Sequence, residues 1–163
     1  MEIERKFTIK KLPDNLRSYP KVHIQQGYLS TNPVVRIRKE DDHYYLTYKG
    51  QGMLAREEHN LPLTRESYEH MLPKCDGNII SKMRYKIPLE HPVFNADCPA
   101  PPENYHLLIE LDIFEPPFEP LIMAEVEFGS KAAAESFVPP DWFLEDVTYN
   151  SNYHNSVMSM MKF

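Results

Sequence analysis

The sequence predicts an α+β, mainly β fold: an eight-stranded antiparallel closed barrel with helices packed outside it. Three observations carry this prediction. Apolar residues alternate with a period of two along most of the chain, the spacing of a strand rather than of a helix. Eight such runs occur, at 2–10, 22–29, 34–40, 43–49, 54–63, 78–87, 105–114 and 121–128. Closure is the arrangement of antiparallel strands that leaves no exposed edge.

The elements follow in order. MEIERKF sets Ile3 and Phe7 on one face of the first strand and Glu2, Glu4 and Lys6 on the other. In VVRIRKE, Val35 and Ile37 oppose Arg36 and Arg38, and in YYLTYKG, Lys49 falls in line with Thr47. SKMRYKI sets Met83, Tyr85 and Ile87 against Lys82, Arg84 and Lys86. LLIELDIF opposes Ile109, Leu111 and Ile113 to Glu110 and Asp112, and MAEVEFG opposes Ala124, Val126 and Phe128 to Glu125 and Glu127. Helices fill the gaps. LTRESYEHML begins with Thr64 and Glu66, places Tyr68, Met71 and Leu72 on one face, and stops at Pro73. SKAAAESF starts with Ser130 as cap and ends at Pro139-Pro140. The tail sets Tyr153, Val157, Met160 and Met161 at helical spacing, a core stripe, with Asn150, Asn152 and Asn155 capping or bracing that helix. Prolines at 92, 99, 101 and 102 predict a loop or an edge excursion over 91–104, because a central strand cannot spare the missing donors.

With 163 residues, 42% of them hydrophobic, the chain fits one domain spanning 1–163 with a full core. A net charge of −6 argues against duplex nucleic acid as a partner, since that binding needs Lys and Arg on phosphates. No apolar run is long enough to cross a membrane as a helix, and no basic-then-apolar leader precedes Glu2, so no membrane partner and a cytoplasmic location are expected. The expected assembly is a monomer or homodimer. Cys75 and Cys98 lack zinc spacing with His and read as reduced structural thiols. His23, His43, His59 and His106 repeat no ligand spacing and read as surface or wall residues, and Tyr44, Tyr45 and Tyr48 as strand packing.

The charged faces carry the functional signal. A single charged strand face ordinarily meets water. Here the faces are segregated strand by strand into basic and acidic sets, and like charges two residues apart repel unless partners are supplied. Convergence on a shared wet lumen supplies them. Paired carboxylates without nitrogen or sulfur neighbours suit Mg²⁺ or Mn²⁺, and paired Arg and Lys suit phosphate oxygens. One ligand needs both sets, a metal-bound polyphosphate. The alternative is that acids and bases only neutralise one another as salt bridges.

EIERKF resembles the ExExK signature of the CYTH superfamily, the triphosphate tunnel metalloenzymes. That group includes inorganic and thiamine triphosphatases, class IV adenylyl cyclases and fungal RNA triphosphatases. IQQGYL, VRIRKE, YYLTYKG, REEHN, SKMRYKI, IELDIF, AEVEFGS and VTYNSNYHN continue the likeness almost end to end. The resemblance implies an eight-stranded tunnel in which Lys6, Arg36, Arg38, Lys49, Lys82 and Arg84 contact phosphates. It further implies that Glu2, Glu4, Glu110, Asp112, Glu125 and Glu127 hold metal or orient water. Glu4 is the first choice for accepting the proton from attacking water, with Glu58 next and Glu2 beside them. Asn60 departs from the pattern, standing where a second glutamate often follows. The implied activity is Mg²⁺- or Mn²⁺-dependent hydrolysis of a small-molecule triphosphate, foremost inorganic tripolyphosphate. The other options are a nucleoside or thiamine triphosphatase, an adenylyl cyclase, and a non-catalytic polyphosphate or nucleotide sensor.

Overall fold

The computed structural model of the chain describes residues 1–95 and 105–163. Its strands are β1 (Glu2–Ile9), β2 (Lys21–Thr31), β3 (Val34–Glu40), β4 (His43–Lys49), β5 (Ala55–Arg56), β6 (Glu58–Pro62), β7 (Asp76–Leu89), β8 (Val93–Phe94), β9 (Leu107–Phe114), β10 (Ile122–Glu127), β11 (Phe137–Val138) and β12 (Phe143–Asp146). The helices are α1 (Arg65–Met71), α2 (Lys131–Ser136) and α3 (Asn155–Met158). The fold is mainly β and antiparallel, as the alternation predicts. No helix among the described residues is long and apolar enough to cross a membrane.

The predicted eight-stranded closed barrel needs correction. Ten strands form one sheet in the order β12-β1-β10-β9-β7-β2-β3-β4-β6, with β5 pairing β1 off that path, and β8 and β11 form a separate two-stranded sheet. The run expected as one strand over 54–63 is split at Glu57: β5 pairs β1 through Glu2↔Arg56 and Ile3↔Ala55, whereas β6 pairs β4. The same side of β1 is taken further along by β12, through Phe7↔Asp146 and Ile9↔Phe143. With that edge divided between a two-residue strand and β12, the ladder does not close as one continuous sheet. The split still brings the β6 end of the path close to β1, because only Glu57 separates β6 from the β1-paired β5.

The apolar strand faces point outward and are covered. Phe7, Ile87, Ile109, Leu111, Ala124 and Val126 form one core with Ala133 and Ala134 of α2, Phe137 and Phe143. Arg5 lies on that same outward face yet is mostly shielded. It donates to the carbonyls of Ala134 (2.8 Å) and Phe137 (3.0 Å), and to Asp146 (2.9 Å), tying α2 and β12 to the first strand.

A second core lies on the inward faces. Tyr28, Val34, Ile80, Phe114, Phe118, Met123 and Met158 cluster at one end of the charged faces and fill it. The tail therefore does pack inward, but α3 is a single turn, so Met158 is the buried residue while Val157 and Met160 are exposed. Gly77 allows the approach: its φ is +66°, and a Cβ there would lie 2.1 Å from the Ser159 carbonyl oxygen. Around α1, Thr64 and Ser67 cap each other's backbone N–H groups, as the Thr64 start predicts. Within the predicted loop or edge excursion over 91–104, Val93–Phe94 form β8 and pair with β11, while the part around Pro99, and Cys98 with it, lies outside the described residues; Cys75 is a free thiol.

Candidate active site

Above the inward apolar cluster the charged faces enclose a cavity of about 290 Å³. Lys6, Arg36, Arg38, Lys49, Arg56, Lys82 and Arg84 line it, facing Glu2, Glu4, Glu40, Glu58, Glu110, Glu125 and Glu127. Every expected phosphate contact is among them, and every expected carboxylate except Asp112. Lys6, Arg36, Lys49, Lys82, Arg84, Glu4 and Glu125 are each less than a tenth exposed.

Cross-strand register explains which charges meet. Lys6 of β1 stands opposite Glu125 of β10, and its ammonium lies 2.8 Å from Glu125 and 3.3 Å from Glu4. Burial opposes the charged ammonium, yet Glu125 and Glu4 hold Lys6 above its ordinary range. Arg84 of β7 stands opposite Asp112 of β9 and grips it through Nε at 2.7 Å and Nη2 at 2.8 Å. The same guanidinium reaches Glu110 at 3.0 Å and Glu125 at 3.3 Å. Against burial, Lys6, Arg84 and Lys82 keep Glu125 well below the usual carboxylate range.

Asp112 sits apart from its expected place. It is fully buried, does not line the cavity, and accepts from both Arg84 and Lys82, the latter at 2.7 Å. Both its oxygens are thus occupied by cations from β7. Lys82 itself is pushed down to about 7: burial disfavours its charge, Asp112 opposes that effect, and Arg84 adds to it. Its other bond goes to Asn155 Oδ1 at 3.0 Å, which also accepts from Gln26. Asn155 therefore turns into the cavity wall instead of capping its helix, whereas Asn150 does cap the turn before it.

At the seam between β1 and β6, Lys49 lies 2.8 Å from Glu2 and 3.3 Å from Glu58. Burial and the neighbouring Glu4 push Glu2 up to about 8. Burial works the other way on Glu58, but hydrogen bonding with Glu2 and the charge of Lys49 bring it down to about 2. Glu127 is raised by burial and by Glu4, Glu58 and Glu110.

Two basic groups stand out for what they lack. Arg36 donates from Nη2 to Thr47 at 3.2 Å, while its buried Nε has no partner among the described residues. Arg56 lines the cavity without a carboxylate within ion-pair distance among the described residues. The sequence reading missed Arg56 and Glu40. Parity held the signal for both, since Arg56 shares a face with Glu58 and Asn60, and Glu40 with Arg36 and Arg38. None of His23, His43, His59 and His106 lines the cavity; His23 pairs with Glu115 and His59 with Glu57 at the surface. Of the three tyrosines, only Tyr45 reaches it.

The donor set is all oxygen, the kind that hard divalent cations take, and a bound cation would counter the burial and the mutual repulsion that raise Glu2 and Glu127. Among the described residues, no three acidic, His or Cys side chains converge as a preformed cluster, because the carboxylates are drawn onto Lys6, Lys49, Lys82 and Arg84.

Residues 1–120 match the CYTH domain model, and the chain belongs to that family. It is 34% identical to an inorganic triphosphatase of Nitrosomonas europaea over 163 residues, covering 98% of this chain and 97% of the relative. A crystal structure of an inorganic triphosphatase, 32% identical, aligns with a TM-score of 0.68 over 99% of this chain and 96% of that one. A Hippeastrum protein studied as an adenylyl cyclase, and described as having a dominant triphosphatase activity, aligns with a TM-score of 0.55 over 83% of each chain. At 13% identity that likeness is one of fold.

Proposed function

We propose that this protein is a divalent-metal-dependent hydrolase that splits inorganic tripolyphosphate into pyrophosphate and orthophosphate. The observation that carries the reading is Arg36, a buried guanidinium in a wall of bases whose Nε has no acceptor among the described residues. The cavity therefore has anion-binding capacity that its own carboxylates do not saturate. The inorganic triphosphatase relative, alike over nearly the whole chain, supports the same substrate.

Hydrolysis of a phosphoanhydride is largely positioning and neutralisation of charge on the transferred group. Lys6, Arg36, Arg38, Lys49, Lys82 and Arg84 bind and align the phosphates in this reading, and Arg56 extends that set toward the seam. Glu2, Glu4, Glu110, Glu125 and Glu127 would hold Mg²⁺ or Mn²⁺. Asp112, saturated by Arg84 and Lys82, fixes those two bases and is not a ligand. A cation held there would supply charge neutralisation at the phosphate oxygens. Phosphate oxygens compete with Glu2, Glu4 and Glu125 for the lysines, so substrate binding frees those carboxylates for their own task.

Glu4 is the acceptor we assign for the proton of attacking water. Glu2 is engaged by Lys49 at 2.8 Å, and Glu58 is shared between Lys49 and Asn60. Among the described residues, the only ion pair of Glu4 is with Lys6, at 3.3 Å, and Glu4 lines the cavity.

The test is orthophosphate release from tripolyphosphate, ATP and thiamine triphosphate with Mg²⁺ or Mn²⁺. The expected result is the highest kcat/KM on tripolyphosphate and none after chelation. Faster turnover of either organic triphosphate would move the substrate, and tight binding without release would make the protein a binding module.

A further inference from the structure

Asn60 is the one residue that departs from the acidic pattern of the resemblance, and the structure gives it a defined place. Directly opposed residues form a row across three neighbouring strands: Arg36 on β3 faces Thr47 on β4, and Thr47 faces Asn60 on β6. Their side chains are linked in that order. Arg36 Nη2 donates to Thr47 Oγ1 at 3.2 Å, and Thr47 Oγ1 donates to Asn60 Oδ1 at 2.6 Å. Asn60 Nδ2 then donates to Glu58 Oε1 at 3.0 Å, and Glu58 meets the Lys49–Glu2 pair.

The direction of these bonds restricts the residue. Thr47 has one hydroxyl proton, and giving it to Asn60 leaves its lone pairs facing Arg36. Asn60 must accept on one side and donate on the other. A carboxylate at this position would accept from Thr47 but would have no proton for Glu58 and would face it as a like charge. It would also place a competing anion beside Arg36. Arg38 and Arg84 are already tied to Glu40 and to Asp112, Glu110 and Glu125, whereas Arg36 has no ion pair among the described residues.

We propose that Asn60 is a positioning residue that sets triphosphate affinity by remaining uncharged. It fixes Thr47 as an acceptor for Arg36, leaves the other N–H groups of Arg36 to phosphate oxygens, and aims Glu58 at the β1 seam. This rests on the triphosphate reading of the cavity.

The test compares Asn60→Ala, Asn60→Asp, Thr47→Val and the Asn60→Ala/Thr47→Val double variant. Asn60 is exposed, so its variants fold. Two readouts are needed: the Kd of tripolyphosphate by titration calorimetry in chelator, where turnover does not intervene, and kcat and KM with Mg²⁺. Loss of one neutral link in Asn60→Ala raises Kd and KM about fivefold and leaves kcat within about twofold. Asn60→Asp raises them about tenfold or more, and its excess over Asn60→Ala shrinks as salt rises. The double variant binds no worse than Thr47→Val alone, because both changes cut one chain of bonds. Should Thr47→Val fail to fold, the salt dependence of Asp against Ala decides. Unchanged Kd and KM in both Asn60 variants, additive penalties in the double variant, or a fall in kcat alone would overturn the proposal. If the wild type binds tripolyphosphate without releasing phosphate, the hydrolytic reading fails while the Kd series still judges Asn60. If it does not bind at all, both fail.

Discussion

Replacing Asp112 by Asn separates two roles for that carboxylate. As a metal ligand, its loss would raise the Mg²⁺ concentration needed for activity. As the anchor of Lys82 and Arg84, its loss would leave two buried cations short of a partner. Asp112 is 0% exposed, Lys82 1% and Arg84 5%, so solvent cannot take over. Removing one member of a buried ion pair costs about 3–5 kcal/mol. Arg84 keeps Glu110 and Glu125, and among the described residues Lys82 keeps Asn155 alone as a hydrogen-bond acceptor, which places the effect near the low end, about 3 kcal/mol. For a chain of this length the melting temperature should fall by about 6–12 °C. The assay is urea and thermal unfolding of both proteins, with tripolyphosphate kinetics at varied Mg²⁺. KM should rise while the Mg²⁺ concentration for half-maximal rate stays put. Wild-type stability together with a tenfold shift in that Mg²⁺ concentration would refute the anchoring role and restore Asp112 as a ligand.

Two further outcomes are expected. Glu4→Gln or Arg38→Ala, purified and folded, should lose at least about tenfold in turnover of tripolyphosphate, about 1.4 kcal/mol of transition-state stabilisation; wild-type rates in both would remove the site assignment. His154 is buried and donates from Nε2 to the Thr148 carbonyl. Burial holds it below its ordinary pKa against that hydrogen bond, helped by Lys6 and Arg56. The stability it contributes is therefore complete above its unfolded pKa of about 6.5 and is lost as pH falls through its folded value. Urea midpoints at pH 7 and pH 5 should differ less for His154→Gln than for the wild type, and an unchanged difference would count against this origin.

Much of the site was legible because a strand writes its two faces into the sequence. Glu2, Glu4 and Lys6, Arg36 and Arg38, and Glu125 and Glu127 all line the cavity as parity places them. Partnership was not legible, because it depends on register between strands distant in the chain. Parity puts Glu110 and Asp112 on one face, but only the pairing of Arg84 with Asp112 shows that one lines the cavity and the other lies behind it. Closure failed as an expectation for a related reason. Nothing in the alternation over 54–63 reveals that Glu57 interrupts the strand, or that β12 takes part of the β1 edge. Asn155 and Met158 turned inward because a single helical turn docks against Gly77 and its neighbours, a contact between segments that periodicity within one segment cannot encode.

The central claim is that the inward charged faces receive a metal-bound triphosphate, with bases on the phosphates and carboxylates on the cation. Anomalous diffraction from crystals of the Glu4→Gln variant grown with Mn²⁺ and tripolyphosphate tests it most directly. The account predicts a phosphate chain within hydrogen-bond distance of Arg36 and Arg38, and a manganese peak beside Glu125 and Glu127. A triphosphate bound outside this cavity, or manganese held elsewhere with the Lys6–Glu125 and Lys49–Glu2 pairs undisturbed, would contradict it.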